Sequence, residues 1–565
     1  MPCAPETLVE ALERTARLRP QGGIAIFDNR GRHYQRHTYP QILERARAAG
    51  AQLAGLGAGR TEPVMLSLGT GWDLIDLWLG AVCIGALPVN IAPAMAMGTG
   101  SAQLKRLQDT AERLACRVLV GSEALRKTAA QPGFETLHRI AVSVADVRQT
   151  VAQPAAVRAH RARHDDTAFL QLTSGSTGLP KAVVIPHRAA LHNTRAIDRG
   201  IGAPLGALAS EVLACSVSWL PLNHDMGLVG GLIYALTHGH DLWLISPKTF
   251  LARPQVWLRE LGRHGAALAP APNFAYQTCV ERVSADQLEG ANLSLWRSAL
   301  VGAEMVQPRT MRAFSERFAA RGFDARALQP CYGLAESTLA LAFDTRGAGV
   351  RTRTLAAGPG EPSEVVALGE PIIDTRIEIR APDGRTMPPG EIGRVFAKGP
   401  SNFTGYYNDP AASAESLCDG WLDTGDLGFV HGGELYLTGR MKDLLIIRGQ
   451  NIMPHELEWC AEAVTGSGGT TRSGAFSVQS ADQGEQAVIV AEVSDPDPAQ
   501  LGAISREIRV RVGRELGLPL ADVMLVRRGA LPKTTSGKVQ RRELKTLYLD
   551  GRLERVQAAT GGDAG

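Results

Sequence analysis

Two spacings of apolar residues alternate along the chain. Between Ile42 and Leu56 the positions Ile42, Ala46, Ala49, Leu53 and Leu56 recur in steps of four, three, four and three, which is one face of a helix. A strand-type run, Pro63–Leu68, follows the break at Gly57–Gly59, and a further helical stretch leads to Gly85–Asn90. Compact strand-type runs return at Thr167–Leu172, Leu242–Ile245, Ala266–Pro270 and Ser298–Val301. Strands separated by helices predict an α/β fold with parallel strands.

The texture changes after Leu339. Asp344–Pro362 is rich in Gly, Pro, Thr and Arg without a period, and predicts a loop or irregular insertion. Thr375–Ile379, a turn at Pro382–Gly384 and Gly390–Lys398 then predict a compact β module. Gly439–Asp443 opens a final α+β region, with helices at His455–Val464 and Pro498–Leu516 and strands at Ser473–Val478 and Ala487–Val493. A chain of 565 residues exceeds what one core organises, so a large multi-part domain and at least one smaller one are expected.

Composition narrows the function classes. The 60 basic and 57 acidic residues leave a net charge of +3, too balanced for a nucleic-acid binder or a polybasic membrane protein. The eight cysteines include no CxxC pair and no zinc-type spacing, and read as reduced thiols. The N-terminal stretch lacks an apolar signal core, and the longest apolar run, near Gly227–Leu236, falls short of the ~20 residues that span a bilayer. A cytoplasmic protein is expected.

The segment Leu170–Lys181, LQLTSGSTGLPK, is the richest in candidate chemistry. Glycines let main chain approach an anion closely, and successive N–H groups form an anion nest. Thr173, Ser174, Ser176 and Thr177 add hydroxyls, Gly175 and Gly178 add freedom, and Lys181 adds a cation. A Walker loop is excluded, because Pro180 and Ala182 break that motif and the loop lies between two strand-type runs. Alone, such a run is more often a surface turn; the Lys-Ala-Val-Val-Ile continuation, which sets it between core strands, favours the functional reading.

Three further clusters stand downstream. In Cys331–Thr338, Tyr332 is suited to stack on a flat base, Gly333 to let the ring lie close, and Glu336 to hold Mg²⁺. In Gly420–Gly428, Asp426 is suited to a ribose diol, with Arg440 nearby. In Leu531–Arg542, Lys538 follows a glycine in a mobile-looking loop. Read singly, these are also a core tyrosine, an Asx turn and a solvated basic run.

Their order and spacing carry more than any one of them. TSGSTGLPK at 173–181, GAE at 302–304, YGLAEST at 332–338, WLDTGDLG at 421–428, TGRMKD at 438–443 and PKTTSGK at 532–538 occur in succession. The chain resembles the adenylate-forming superfamily of acyl-CoA synthetases, peptide-synthetase adenylation domains and luciferases. Ser218–Gly231, Ala271–Tyr276, Cys331–Glu336 and Ile446–Asn451 resemble its fatty acyl-AMP ligase branch. Two departures stand out: Asn223 where that branch carries tyrosine, and a shorter, Gly/Pro-rich segment in the 33 positions between Glu336 and Gly369.

The resemblance implies an N-terminal domain, residues 1–438, of two parallel-sheet α/β subdomains plus a β module. It implies a hinge at 439–443 centred on Lys442, and a smaller mobile α+β domain at 444–565. ATP and Mg²⁺ are the implied cofactors. Thr173–Gly178 and Lys181 would take the phosphates, and Glu336 with Thr177 the metal. Tyr332, Gly333, Gly302, Ala303 and Glu304 would take the base, and Asp426 and Arg440 the ribose. Lys538 would bridge acyl carboxylate and α-phosphate. His224, Met226, Gly227, Asn273 and Phe274 would border the acid. The implied reaction is activation of a carboxylic, fatty acid to acyl-AMP, then transfer to the phosphopantetheine thiol of an acyl carrier protein in trans. Free CoA is the alternative acceptor, and a non-catalytic adenylate-binding protein the remote one.

Overall fold

The helix Tyr39–Gly55 begins at a capping box in which Thr38 and Gln41 satisfy each other's exposed main-chain groups. Its face of Ile42, Ala46, Ala49 and Leu53 is fully buried, much of it against the helix Trp72–Ile84, while Leu56 is the half-buried residue that ends the helix. The spacing read from the sequence is thus the packing face. The computed structural model describes residues 4–93, 101–173, 180–202, 215–355, 363–447, 450–465, 473–480, 484–493, 500–533 and 538–556.

Two sheets organise the large domain. The first, six-stranded, runs in the order Ala141–Ser143, Val118–Gly121, Pro63–Leu66, Leu87–Asn90, Thr167–Leu172 and Ala182–Pro186. Its first five strands are parallel and the last pair is an antiparallel hairpin. The second, nine-stranded, has six parallel central strands, from Leu328–Gly333 through Ser298–Val301, Leu268–Ala271, Cys215–Ser218 and Asp241–Leu244 to Gly23–Phe27. Antiparallel strands close both its edges. Most of the parallel strands, such as Pro63–Leu66, Leu87–Asn90, Leu268–Ala271 and Ser298–Val301, are buried along their length, which is why they read as apolar runs rather than as alternations.

The β module follows as an antiparallel sheet of Arg376–Arg380, Gly393–Lys398, Trp421–His431 and Glu434–Arg440, with the short strand Leu417–Cys418 on its edge. The small domain pairs Ser473–Ser480, Gly484–Val493 and Leu520–Arg527, with helices Pro454–Thr465 and Leu501–Leu516 against them. Its own core includes Leu457, Ile489, Ile508 and Val512. The fold is therefore the expected α/β architecture, a large N-terminal domain with two parallel-sheet subdomains and a small C-terminal one.

The expected loop at Asp344–Pro362 needs correction. It contains the strand Thr352–Leu355, paired with Ser363–Val366. Thr352, Arg353 and Thr354 are exposed, so no apolar alternation marks the strand; the hairpin is held through Val365 and Leu355 beside Phe429 and Tyr436. Several strand ends also move by one to three residues, since the apolar run and the hydrogen-bonded ladder need not end together.

Candidate active site

Thr173 and Lys181 meet across the mouth of the Ser/Thr/Gly run. The Thr173 N–H donates to the Lys181 carbonyl at 2.9 Å, continuing the hairpin ladder of Thr167–Leu172 and Ala182–Pro186. Ser174, Gly175, Ser176, Thr177 and Gly178 lie outside the described residues. Thr173 and Lys181 line a cavity of about 2650 Å³ whose walls come from both domains. An ordinary small-molecule pocket is roughly 300–1,000 Å³, so this cleft has room for a nucleotide and a second substrate.

On one wall, Glu336 follows the strand Leu328–Gly333 in a short 3-10 turn. The Tyr406 hydroxyl donates to Glu336 Oε1 at 2.8 Å, and burial raises the Glu336 carboxyl above the usual range. Lys181 Nζ sits over the Tyr406 ring, 4.6 Å from its centroid. One phenol takes a single lone-pair site of a carboxylate that offers about four. Mg²⁺ needs one or two carboxylates when it arrives with substrate phosphates and waters, so Glu336 beside Lys181 fits that ion. Among the described residues no group of three His, Cys, Asp or Glu forms a metal cluster.

The second wall is a linked set. The Tyr332 hydroxyl donates to Asp426 Oδ2 at 2.5 Å, and Arg440 Nε donates to Asp426 Oδ1 at 2.8 Å. Asp426 and Arg440 are direct partners across the strands Trp421–His431 and Glu434–Arg440, so the ladder itself sets that ion pair. Gly333 lines the same cleft as Tyr332. A Cβ there would stand 1.6 Å from the Leu339 carbonyl oxygen, at a register shift between the strands Leu328–Gly333 and Ala340–Phe343. The neighbouring main chain by itself requires a glycine here.

Gly302, Ala303 and Glu304 also line the cleft. Ala303 has φ +67°, the left-handed region that a side chain occupies at a cost, as residues at functional sites often do. Glu304 Oε1 accepts from the Phe274 N–H at 2.6 Å, and Asn273 Oδ1 accepts from the Gln307 N–H at 2.9 Å. A carboxylate therefore sits on the first turn of the helix Asn273–Arg282, where it favours the exposed amides. His224 and Met226 line the cavity; Gly227 does not appear in its lining. A Cβ on Gly227 would lie 2.3 Å from the Pro221 carbonyl, so that glycine serves close packing. Just beyond it, Leu228–Ile233 is a π-helical turn, a feature frequent at functional sites.

Lys538 enters from the small domain. It lines the same cavity, where burial and the charge of Arg440 pull its amine below the usual lysine range. Asp225, Glu304 and Asp426 act in the opposite direction. The lysine is therefore within electrostatic reach of the Asp426–Arg440 pair, of Glu304 and of Asp225. Arg541, three positions on, is salt-bridged to Asp443 at 3.0 Å and to Glu458 at 2.6 Å. That pairing ties the segment carrying Lys538 to the turn Met441–Asp443, where the exposed Lys442 stands.

Two cavity residues had no part in the sequence reading. Asp225 is a buried carboxylate beside His224, whose Nδ1 is 2.7 Å from Asp225 Oδ1, and the only hint of it was an acid within an apolar run. Tyr406 carried no signal, because nothing local ties it to Glu336, 70 positions away.

The comparisons with known proteins place the whole chain in a family. Residues 12–407 match the pattern that defines the AMP-binding enzymes. A putative acyl-CoA synthetase of Caulobacter vibrioides is 34% identical over 566 residues, spanning 96% of each chain. The medium-chain-fatty-acid–[acyl-carrier-protein] ligase JamA of Moorena producens is 35% identical over 420 residues, 70% of each chain. A solved structure from a study of fatty acyl-adenylate ligases of E. coli and L. pneumophila superposes with a TM-score of 0.85 at 29% identity, covering 97% of this chain and 98% of that one. The chain belongs to the AMP-binding enzyme family, whose members activate acids as acyl-adenylates, and among these it is most like the fatty acyl-AMP ligases.

Proposed function

We propose that the protein activates a fatty acid as its acyl-AMP and then passes the acyl group to the phosphopantetheine thiol of an acyl carrier protein in trans. The observation that carries this reading is the position of Lys538, brought by the small domain into the cavity that holds Glu336, Asp426 and Arg440.

In the first step a carboxylate oxygen of the acid attacks the α-phosphorus of ATP. The new P–O bond forms as the bond to the β-phosphate breaks, and pyrophosphate leaves. Negative charge grows on the α-phosphate oxygens, and the Lys538 ammonium stabilises it in a partly desolvated cleft. Lys181 and the Thr173–Gly178 run bind the leaving phosphates, Tyr332 and residues 302–304 hold the base, and Asp426 with Arg440 holds the ribose. Mg²⁺ would be held by Glu336, with Thr177 the second ligand the resemblance implies, and would supply charge neutralisation on the phosphate oxygens. Little covalent work falls to the protein, and most of the rate comes from positioning. In the second step the thiol sulfur attacks the acyl carbonyl and gives its proton to solvent, the C–S bond forms, and AMP leaves with the acyl C–O bond broken.

Rotation of residues 444–565 about 439–443, with Lys442 as pivot, would withdraw Lys538 between the steps and admit the thiol. His224, Met226, Asn273 and Phe274 line the part of the cleft assigned to the acid. The name of JamA supports a carrier-protein acceptor. The name of the Caulobacter vibrioides relative, and Asn223 at the cavity wall, favour the second reading, transfer to free CoA. No helix among the described residues is long and apolar enough to cross a membrane, and all seven described cysteines are free thiols, as a cytoplasmic setting would require.

The test supplies ATP and acids of graded chain length, first in ATP–pyrophosphate exchange, then with either a phosphopantetheinylated carrier protein or CoA. Exchange with fatty acids and thioester only on the carrier supports the proposal. Thioester only on CoA moves the enzyme to the second reading, and absence of exchange with every acid overturns both.

A further inference from the structure

Lys181 and Glu336 project into the same cleft, one a cation and one a carboxylate that burial makes costly to leave charged. Opposite charges in a partly desolvated cleft attract strongly, and a flexible lysine closes readily on a nearby carboxylate. A direct ion pair would withdraw both groups from the phosphates and the cation they are to meet. The side chain standing between them is Tyr406. Its ring face receives the Lys181 ammonium at 4.6 Å, and its hydroxyl donates to Glu336 Oε1 at 2.8 Å.

Tyr406 is held firmly enough for that part. The segment Phe403–Tyr407 runs as an extra strand beside Ala182–Val184: Thr404 N–H donates to the Val184 carbonyl at 3.3 Å, Val184 N–H to Gly405 at 3.0 Å, and Tyr407 N–H to Ala182 at 2.8 Å. The Phe403 N–H donates to the Glu336 carbonyl at 2.8 Å, so main chain as well as phenol joins this segment to Glu336. The Tyr406 N–H donates to Ser413 Oγ at 2.8 Å, and the Phe403 ring packs edge-on against it, centroids 5.0 Å apart. The ring is nearly buried, with little freedom to swing aside.

We propose that Tyr406 is a positioning residue that holds Lys181 and Glu336 apart, each on a separate part of one side chain, so that the cation-carrying triphosphate meets both already placed. A tyrosine suits this task because its π face attracts an ammonium while its edge donates to a carboxylate. The inference rests on the adenylate-forming reading of the cleft, since it assigns Lys181 and Glu336 to phosphate and Mg²⁺.

Binding, rather than turnover, separates the alternatives. ATP affinity is measured by calorimetry with and without Mg²⁺ for the wild-type enzyme, Tyr406→Phe and Tyr406→Leu, each checked for an unaltered melting curve. Tyr406→Phe keeps the ring under Lys181 and frees Glu336. It is expected to weaken Mg·ATP roughly tenfold, the usual effect of losing a hydrogen bond to a charged group, and to leave metal-free ATP within a fewfold. Tyr406→Leu removes both contacts and is expected to weaken ATP in either condition. Equal losses for Tyr406→Phe with and without Mg²⁺, or wild-type binding by both variants, overturns the proposal. Wild-type enzyme that binds no ATP overturns the reading of the cleft itself, and the proposal with it.

Discussion

Tyr332 and Asp426, 94 residues apart in sequence, meet at 2.5 Å through a phenol-to-carboxylate hydrogen bond, and Arg440 closes on the other carboxylate oxygen. This wall of the cleft is thereby one unit rather than three independent contacts, because moving Asp426 releases a tyrosine ring and a guanidinium together. Replacing it by Asn keeps the shape and removes the charge. Asp426→Asn is expected to raise the KM for ATP about 10- to 100-fold, the worth of a hydrogen bond to a charged group, with a smaller fall in kcat. A loss confined to kcat would show that Asp426 has no part in holding nucleotide.

The proposed mechanism assigns Lys538 to the first half-reaction alone. Lys538→Ala is expected to slow ATP–pyrophosphate exchange by about 10²–10³-fold, the range for removing one preorganised electrostatic contact. Transfer from supplied acyl-adenylate to the thiol should stay within a fewfold of wild type. Equal loss in both assays would mean that the lysine merely keeps the domains together.

Gly333 offers a test of the scaffold behind Tyr332. An added methyl would stand 1.6 Å from the Leu339 carbonyl oxygen, and main chain on both sides must shift to admit it. Gly333→Ala is expected to lower stability by at least about 2 kcal/mol, as overpacking of a closed site does, and to lower Tm accordingly. A wild-type melting curve would show that the register shift at this position relaxes freely.

Asp198 gives the fold a pH dependence away from the cleft. It is buried on the helix His187–Gly200, accepts from the Tyr234 hydroxyl at 2.8 Å, and burial pushes its carboxyl up from 3.8 to about 6. The folded chain therefore holds this proton more tightly than the unfolded one. Stability falls as pH rises from 3.8 towards 6, and the penalty is complete above that window. Asp198→Asn removes the titration and keeps an acceptor for Tyr234. It is expected to match wild type near pH 4 and to exceed it at neutral pH by up to about 3 kcal/mol. A constant difference between the two proteins across pH, read from Tm, would sink this assignment.

By itself the sequence determined the class of the fold, part of its strands and helices, and the order of the motifs. Periods of two and of about 3.6 are local, and the buried parallel strands leave apolar runs that need no partner to be recognised. It also marked Lys181, Glu336, Asp426, Arg440 and Lys538, because charged residues among glycines and turns stand out along a chain. The strand Thr352–Leu355 stayed hidden because its side chains face outward and carry no apolar pattern. Only the tertiary structure decided which groups meet. Tyr406 reaches Glu336 across 70 residues, Tyr332 reaches Asp426 across 94, and Lys538 arrives from another domain. Gly227 and Gly333 were legible as glycines but not as to why, since the atoms they make room for, the carbonyls of Pro221 and Leu339, come close only once the chain has folded. Hydrogen bonds and close contacts are properties of distance in space, and spacing along the chain fixes that distance only within a single helix or strand.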